Sequence, residues 1–165
     1  MHTFCASFPP IADEKTRVLV LGSMPGAASL AAGEYYAHPR NAFWPILFAL
    51  WGLPPQEDYQ KKVAHALAHR VAIWDVVKQC HREGSGDASI RGAQINDFGA
   101  FFMRHPQIHT VFFNGRLAES VFRRYGKEAA GNRSLVPLPS TSPAYTLPFE
   151  RKMEAWRAVR LAADS

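Results

Sequence analysis

A chain of 165 residues that is 47% hydrophobic and 20% charged can bury a sizeable core and is too apolar to be a disordered segment. A net charge of +5 and a pI near 9.5 suit a polyanionic partner such as nucleic acid. The only cysteines, Cys5 and Cys80, support neither a disulfide framework nor a zinc or iron–sulfur site, and the absence of a leader-like or bilayer-long apolar run leaves a cytoplasmic location as the expectation.

Residues 1–16 read as an arm carrying Pro9 and Pro10. Residues 17–21 (RVLVL) are an apolar, β-branched strand of the kind covered on both faces. The chain breaks at Gly22 and enters a long loop with Pro25, Gly26 and Gly33. This loop holds Tyr35, Tyr36, His38, Arg40 and Asn41, groups that suit a planar ligand, and loops of such length are often functional. Asn41 then caps a helix with Phe43, Trp44, Ile46, Leu47, Leu50 and Trp51, ended by Gly52 and Pro54. Residues 57–70 follow as a helix with Val63, Ala64 and Leu67 inward, and residues 71–74 (VAIW) as a strand with Asp75 at its end. Residues 78–92 are polar, glycine-rich and read as loop. Residues 94–104 read as a short aromatic helix, 110–113 (TVFF) as a third strand closed by Asn114-Gly115, and 116–125 as a helix with Arg116, Arg123 and Arg124 outward. The fourth strand is 134–138, followed by the turn-rich PSTSPAYTLP of 139–148 and a closing helix over 149–162.

Strands that alternate with helices predict a parallel sheet with helices on both faces, an α/β fold in one domain. Ligands bind such sheets outside the carboxyl ends of the strands. Those ends are Gly22-Ser23, Asp75, Asn114-Gly115 and the loop from Pro139, each polar or glycine-rich after an apolar run. Other constellations are weaker. GSMPG lacks the Lys-Ser/Thr of a P-loop and the third glycine of a dinucleotide fingerprint, so no nucleotide cofactor is expected. His65 and His69 lie one helical turn apart without a third ligand, which reads as a solvated helix face and not a metal site. Asn41 has two readings at this point, a plain helix cap or a catalytic amide.

In order along the chain, GSMPG, YYAHPRNAFW, AIWDVVK, VFFNG and LPSTSPA resemble the motifs of the uracil-DNA glycosylase superfamily, most closely its hypoxanthine-DNA (deoxyinosine) glycosylase branch. The resemblance implies a three-layer α/β/α sandwich around a four-stranded parallel sheet. It also implies a monofunctional enzyme that flips a deaminated base out of DNA and hydrolyses its N-glycosidic bond. The substrate would be double- or single-stranded DNA with a damaged base, and the protein a monomer without cofactor, metal or membrane, lying at the nucleoid in a bacterium. The alternatives are uracil or a broader range of deaminated bases, or a non-catalytic DNA-binding member of the same fold.

One departure stands out. Most of the superfamily carries Asp or Asn at the third position of the first motif, and this chain carries Met24. The resemblance moves the polar duty to Asn41, which would position the attacking water, with Ser23 beside it in the catalytic group. It implies that Tyr36 stacks on the flipped base, that Asp75 accepts from its N–H, and that Gly22, Met24 and Asn114 border the base. His38, Arg40, Ser140, Ser142, Pro143, Ala144 and Tyr145 would contact the DNA.

Overall fold

The computed structural model describes residues 3–82 and 91–165. Its main sheet has the parallel strands β2 (Val18–Gly22), β3 (Val71–Asp75), β6 (Thr110–Asn114) and β7 (Ser134–Leu138), in the order β3-β2-β6-β7. The apolar runs of β2, β3 and β6 are buried on both faces, as parallel strands require. Side chains alternate across the sheet and divide the core in two. Val18, Val20, Ile73 and Phe112 face Phe43, Trp44, Ile46, Leu47, Trp156 and Val159, which come from α2 (Phe43–Ala49) and α7 (Phe149–Ala163). Leu19, Leu21, Trp74, Val111 and Phe113 face Phe98, Phe101, Phe102, Ala118 and Phe122, from α4 (Phe98–Arg104) and α5 (Arg116–Tyr125). The three layers expected from the sequence are therefore present. Pro137 sits in β7, an edge strand, where its missing N–H costs no ladder bond.

Several expectations are corrected. The polar stretch 78–92 is not simply loop: β4 (Val77–Arg82) and β5 (Arg91–Ile95) bracket it, and the part of the stretch over 83–90 lies outside the described residues. With β1 (Thr3–Ala6), from the segment expected to be an arm, they form a second, antiparallel sheet in the order β1-β4-β5. These strands show little apolar alternation, and their partners are distant in sequence, so composition hides them. The long loop after β2 contains α1 (Ala27–Ala32), an Ala-rich run with high helix propensity flanked by Gly26 and Gly33. The helices expected at 57 and 94 start later. Asp58 caps α3 (Tyr59–Ala68) by accepting from Gln60 N–H, and Asp97 caps α4 by accepting from Ala100 N–H. Residues 94 and 95 belong instead to β5. The short α6 (Lys127–Ala130) adds a turn after α5. Among the described residues no helix is long and apolar enough to cross a membrane.

His65 does not lie on a solvated face. It is buried, its ring stacks on Phe48 at 4.1 Å, and His65 Nε2 is 2.8 Å from Leu47 O. The carbonyl can only accept, so Nε2 carries hydrogen and a second proton must go to Nδ1. Burial lowers the His65 pKa below the ordinary 6.5, and burial followed by the charge of His65 lowers that of His69. Below about pH 6.5 the unfolded chain thus binds protons that the folded chain refuses. Stability is full above this range and falls as pH drops through it towards the lowered folded values. The melting temperature should decline from about pH 7.5 to about pH 5, and His65→Gln should flatten that decline. A wild-type profile as flat as the variant's would contradict this account.

Candidate active site

The four carboxyl ends meet around one cavity of about 290 Å³. From β2 come Gly22, Ser23 and Met24; from β3, Asp75; from β6, Asn114; and from the loop after β7, Ser140, Thr141, Ser142, Pro143 and Ala144. The segment between α1 and α2 adds Tyr35, Tyr36, His38 and Asn41. Of the residues singled out from the sequence, only Arg40 and Tyr145 are outside this lining, both on the exposed surface.

The inner end is built around Gly22. A Cβ there would lie 2.6 Å from Asp75 Oδ1 and 2.8 Å from the Tyr36 hydroxyl oxygen, so a glycine is what lets both side chains converge. Asp75 is buried, and its backbone carbonyl accepts from Asn96 Nδ2 at 2.7 Å, which fixes the strand end. Tyr36 has φ +56°, a left-handed conformation unusual for a tyrosine, and its ring stacks on Phe43 at 4.0 Å. Desolvation, and then the charge of Asp75, push its phenol far above the ordinary value. Tyr36 is therefore a hydroxyl donor at any physiological pH. Strain at a cavity-lining residue points towards function. Tyr35 is otherwise engaged: its hydroxyl donates to Pro9 O at 2.9 Å, anchoring the N-terminal segment.

Asn41 stands just before α2, and its Oδ1 accepts the Phe43 N–H at 2.9 Å. The N-cap of α2 is Ala42, so the cap expected at Asn41 is instead an Asx-type turn one residue ahead of it, and the bond fixes the orientation of the amide. Met24 is buried against Val77 and Leu30.

Sequence reasoning overlooked Thr141. It is buried, its hydroxyl accepts from Asn114 Nδ2, and its N–H donates to Asn114 Oδ1, both at 2.9 Å. Asn114 thereby clamps the 139–148 loop while still lining the cavity. Thr141 O in turn accepts from Ala42 N–H at 3.0 Å, which ties this loop to the Asn41 segment. Gly115 has φ +99°, and a Cβ there would lie 3.3 Å from Ser140 Cβ, so the β6 turn presses directly on the same loop. The motif LPSTSPA pointed to Ser140 and Ser142; the threonine between them gave no signal of its own. Arg123 pairs with Glu119 at 2.9 Å on α5, and none of Arg116, Arg123 and Arg124 lines the cavity. Among the described residues, no group of three or more His, Cys, Asp or Glu side chains is placed to hold a metal ion.

The sequence matches the family described as the uracil DNA glycosylase superfamily over residues 9–160. The chain belongs to that superfamily. It is 35% identical over 156 residues to the hypoxanthine DNA glycosylase of Methanosarcina acetivorans, covering 92% of this chain and 95% of that one. It is 37% identical over 125 residues to the hypoxanthine DNA glycosylase of Methanosarcina barkeri, covering 73% and 79%. The solution structure of a candidate uracil DNA glycosylase from Methanosarcina acetivorans superposes with a TM-score of 0.81 at 31% identity, covering 99% of this chain and 100% of that one. The fold and the family expected from the sequence are both borne out. Within a superfamily fold, the cavity just described occupies the place where an α/β sheet binds its ligand.

Proposed function

We propose that the protein is a DNA glycosylase that excises a deaminated base, hypoxanthine above all, acting as a monomer without a cofactor. The observation that carries this reading is the pairing of Asp75 and Tyr36 over Gly22. Deamination of adenine replaces an acceptor ring nitrogen with N–H and an amino group with a carbonyl. A carboxylate acceptor beside a hydroxyl donor complements that N–H/C=O edge and mismatches the parent base. Uracil presents the same edge, which keeps a uracil or broader deaminated-base activity as the second reading. The names of the Methanosarcina relatives favour hypoxanthine.

In the proposed reaction the nucleotide is flipped, its base lies against Tyr36, and water held by Asn41 attacks C1′. The N-glycosidic bond breaks, the base leaves with its electron pair and takes up a proton, and an abasic site remains. Asn41 positions water and does not remove its proton, because an amide is no base. Ser23 lies beside that path, and His38 and the 139–148 loop meet the DNA.

Single-turnover assays on inosine- and uracil-containing duplexes, beside free inosine, test the reading. Release of hypoxanthine from duplex DNA, faster than release of uracil, is expected. Cleavage of free inosine with no action on DNA would overturn it, as would binding without release of any base.

A further inference from the structure

Lys152 is a buried cation that neither the fold nor the proposed chemistry explains. It is the fourth residue of α7 and only 4% exposed. Its Nζ donates to Ser142 O at 3.1 Å and lies 5.5 Å from the centre of the Tyr145 ring. Among the described residues it pairs with no carboxylate. Burial lowers its pKa, the mark of a charge held away from water. Its place near the start of a helix also opposes the macrodipole, which favours anions there. The hydrogen bond and the ring contact offset part of the cost, but a buried charge without a carboxylate, set against the macrodipole, still costs stability, and local costs of this kind gather at functional sites.

The loop above it has the opposite need. Ser140 Oγ accepts from Ser142 N–H at 3.1 Å, and Ser142 Oγ accepts from Ala144 N–H at 3.2 Å. Each serine oxygen is thereby used as an acceptor, which leaves its O–H to serve as a donor. The loop is held from below at Pro139 O by Trp156 Nε1 and at Ser142 O by Lys152. Two hydroxyl donors on a fixed loop, backed by a desolvated cation, form a seat for an anion.

We propose that Lys152 is a positioning residue whose charge, acting through the 139–148 loop, holds a DNA backbone phosphate beside the flipped nucleotide. This rests on the DNA glycosylase reading. A substrate phosphate supplies the negative partner that the folded chain withholds. The hydrogen bond to Ser142 O alone would need only a neutral donor, so the charge itself is what the site uses.

The test is the salt dependence of binding to an inosine-containing duplex, with thermal melts alongside, for wild type, Lys152→Arg, Lys152→Gln and Lys152→Met. The log–log slope should fall by about one unit in the Gln and Met variants and stay unchanged in Arg. Affinity should weaken several-fold at low salt, with the gap closing as salt rises. Gln keeps a donor for Ser142 O, so a Gln variant with the wild-type slope would reduce the lysine to a strut and overturn the proposal. A Gln variant that does not fold would do the same. These results leave the glycosylase reading intact, whereas a wild-type protein that binds no duplex DNA would sink both.

Discussion

Asn41→Ala should lose about 10²–10³-fold in single-turnover excision while still binding lesion DNA. The proposed reaction gives this amide a second duty beside the one seen in the structure. Its Oδ1 holds the Phe43 N–H at 2.9 Å, and losing that bond costs about 1 kcal/mol of stability. The same bond fixes which way the rest of the amide faces at the cavity. The two duties separate in the laboratory. A variant that has lost only that bond melts at a lower temperature yet turns over almost normally when cold. A variant that has lost its water-holding group stays slow at every temperature at which it is folded. Asn41→Asp refines the test, because a carboxylate keeps the acceptor for Phe43 N–H and can still position water. It should melt near the wild-type temperature and retain part of the rate. Near-normal excision by cold, folded Asn41→Ala would refute the assignment and turn attention to Ser23 and Asp75.

Gly22→Ala should abolish base excision through geometry alone. The added methyl would stand 2.6 Å from Asp75 Oδ1 and 2.8 Å from the Tyr36 hydroxyl oxygen, closer than real Cβ atoms come to anything. Neither neighbour can yield freely. Asp75 ends a buried strand whose carbonyl is held by Asn96, and the Tyr36 ring is stacked on Phe43. Overpacking of this kind costs about 1–3 kcal/mol, which a folded domain can survive. The expected protein is therefore folded, somewhat less stable, and unable to present its acceptor and donor together. DNA affinity should change less than excision, since the proposed phosphate contacts lie on the 139–148 loop. Wild-type rates in a folded Gly22→Ala would show that the Asp75–Tyr36 pair does not read the base.

How much was legible beforehand varied with the kind of residue. Three of the parallel strands were plain, because VLVL, VAIW and TVFF are apolar runs that only a sheet covered on both faces accommodates. Their polar ends then located the site, and the matching motifs named its candidates. The second sheet was not legible: β1 and β4 pair across more than seventy positions, and no local pattern announces such a partnership. The roles of Asn114 and Thr141 were hidden for a related reason. VFFNG suggests a ligand-facing amide, and Asn114 does line the cavity, but its two bonds to a residue 27 positions away leave no mark in the sequence. His65 misled because helical spacing alone cannot say which face of a helix meets solvent; Phe48 and Leu47 O decide it. Lys152, a lysine near a helix start, looks like any surface charge until its burial is seen.

The bonds from Ala42 to Thr141 and from Asn114 to Thr141 carry a consequence for how the molecule comes into being. Contacts this distant in sequence pay the loop-closure entropy last and form slowly. A chain still emerging from the ribosome, or one cut short before β7, has strands and helices but no enclosed cavity. The capacity to remove bases therefore appears in a single step with the completed sheet. A half-made copy of this protein has no means of damaging the DNA it is meant to mend.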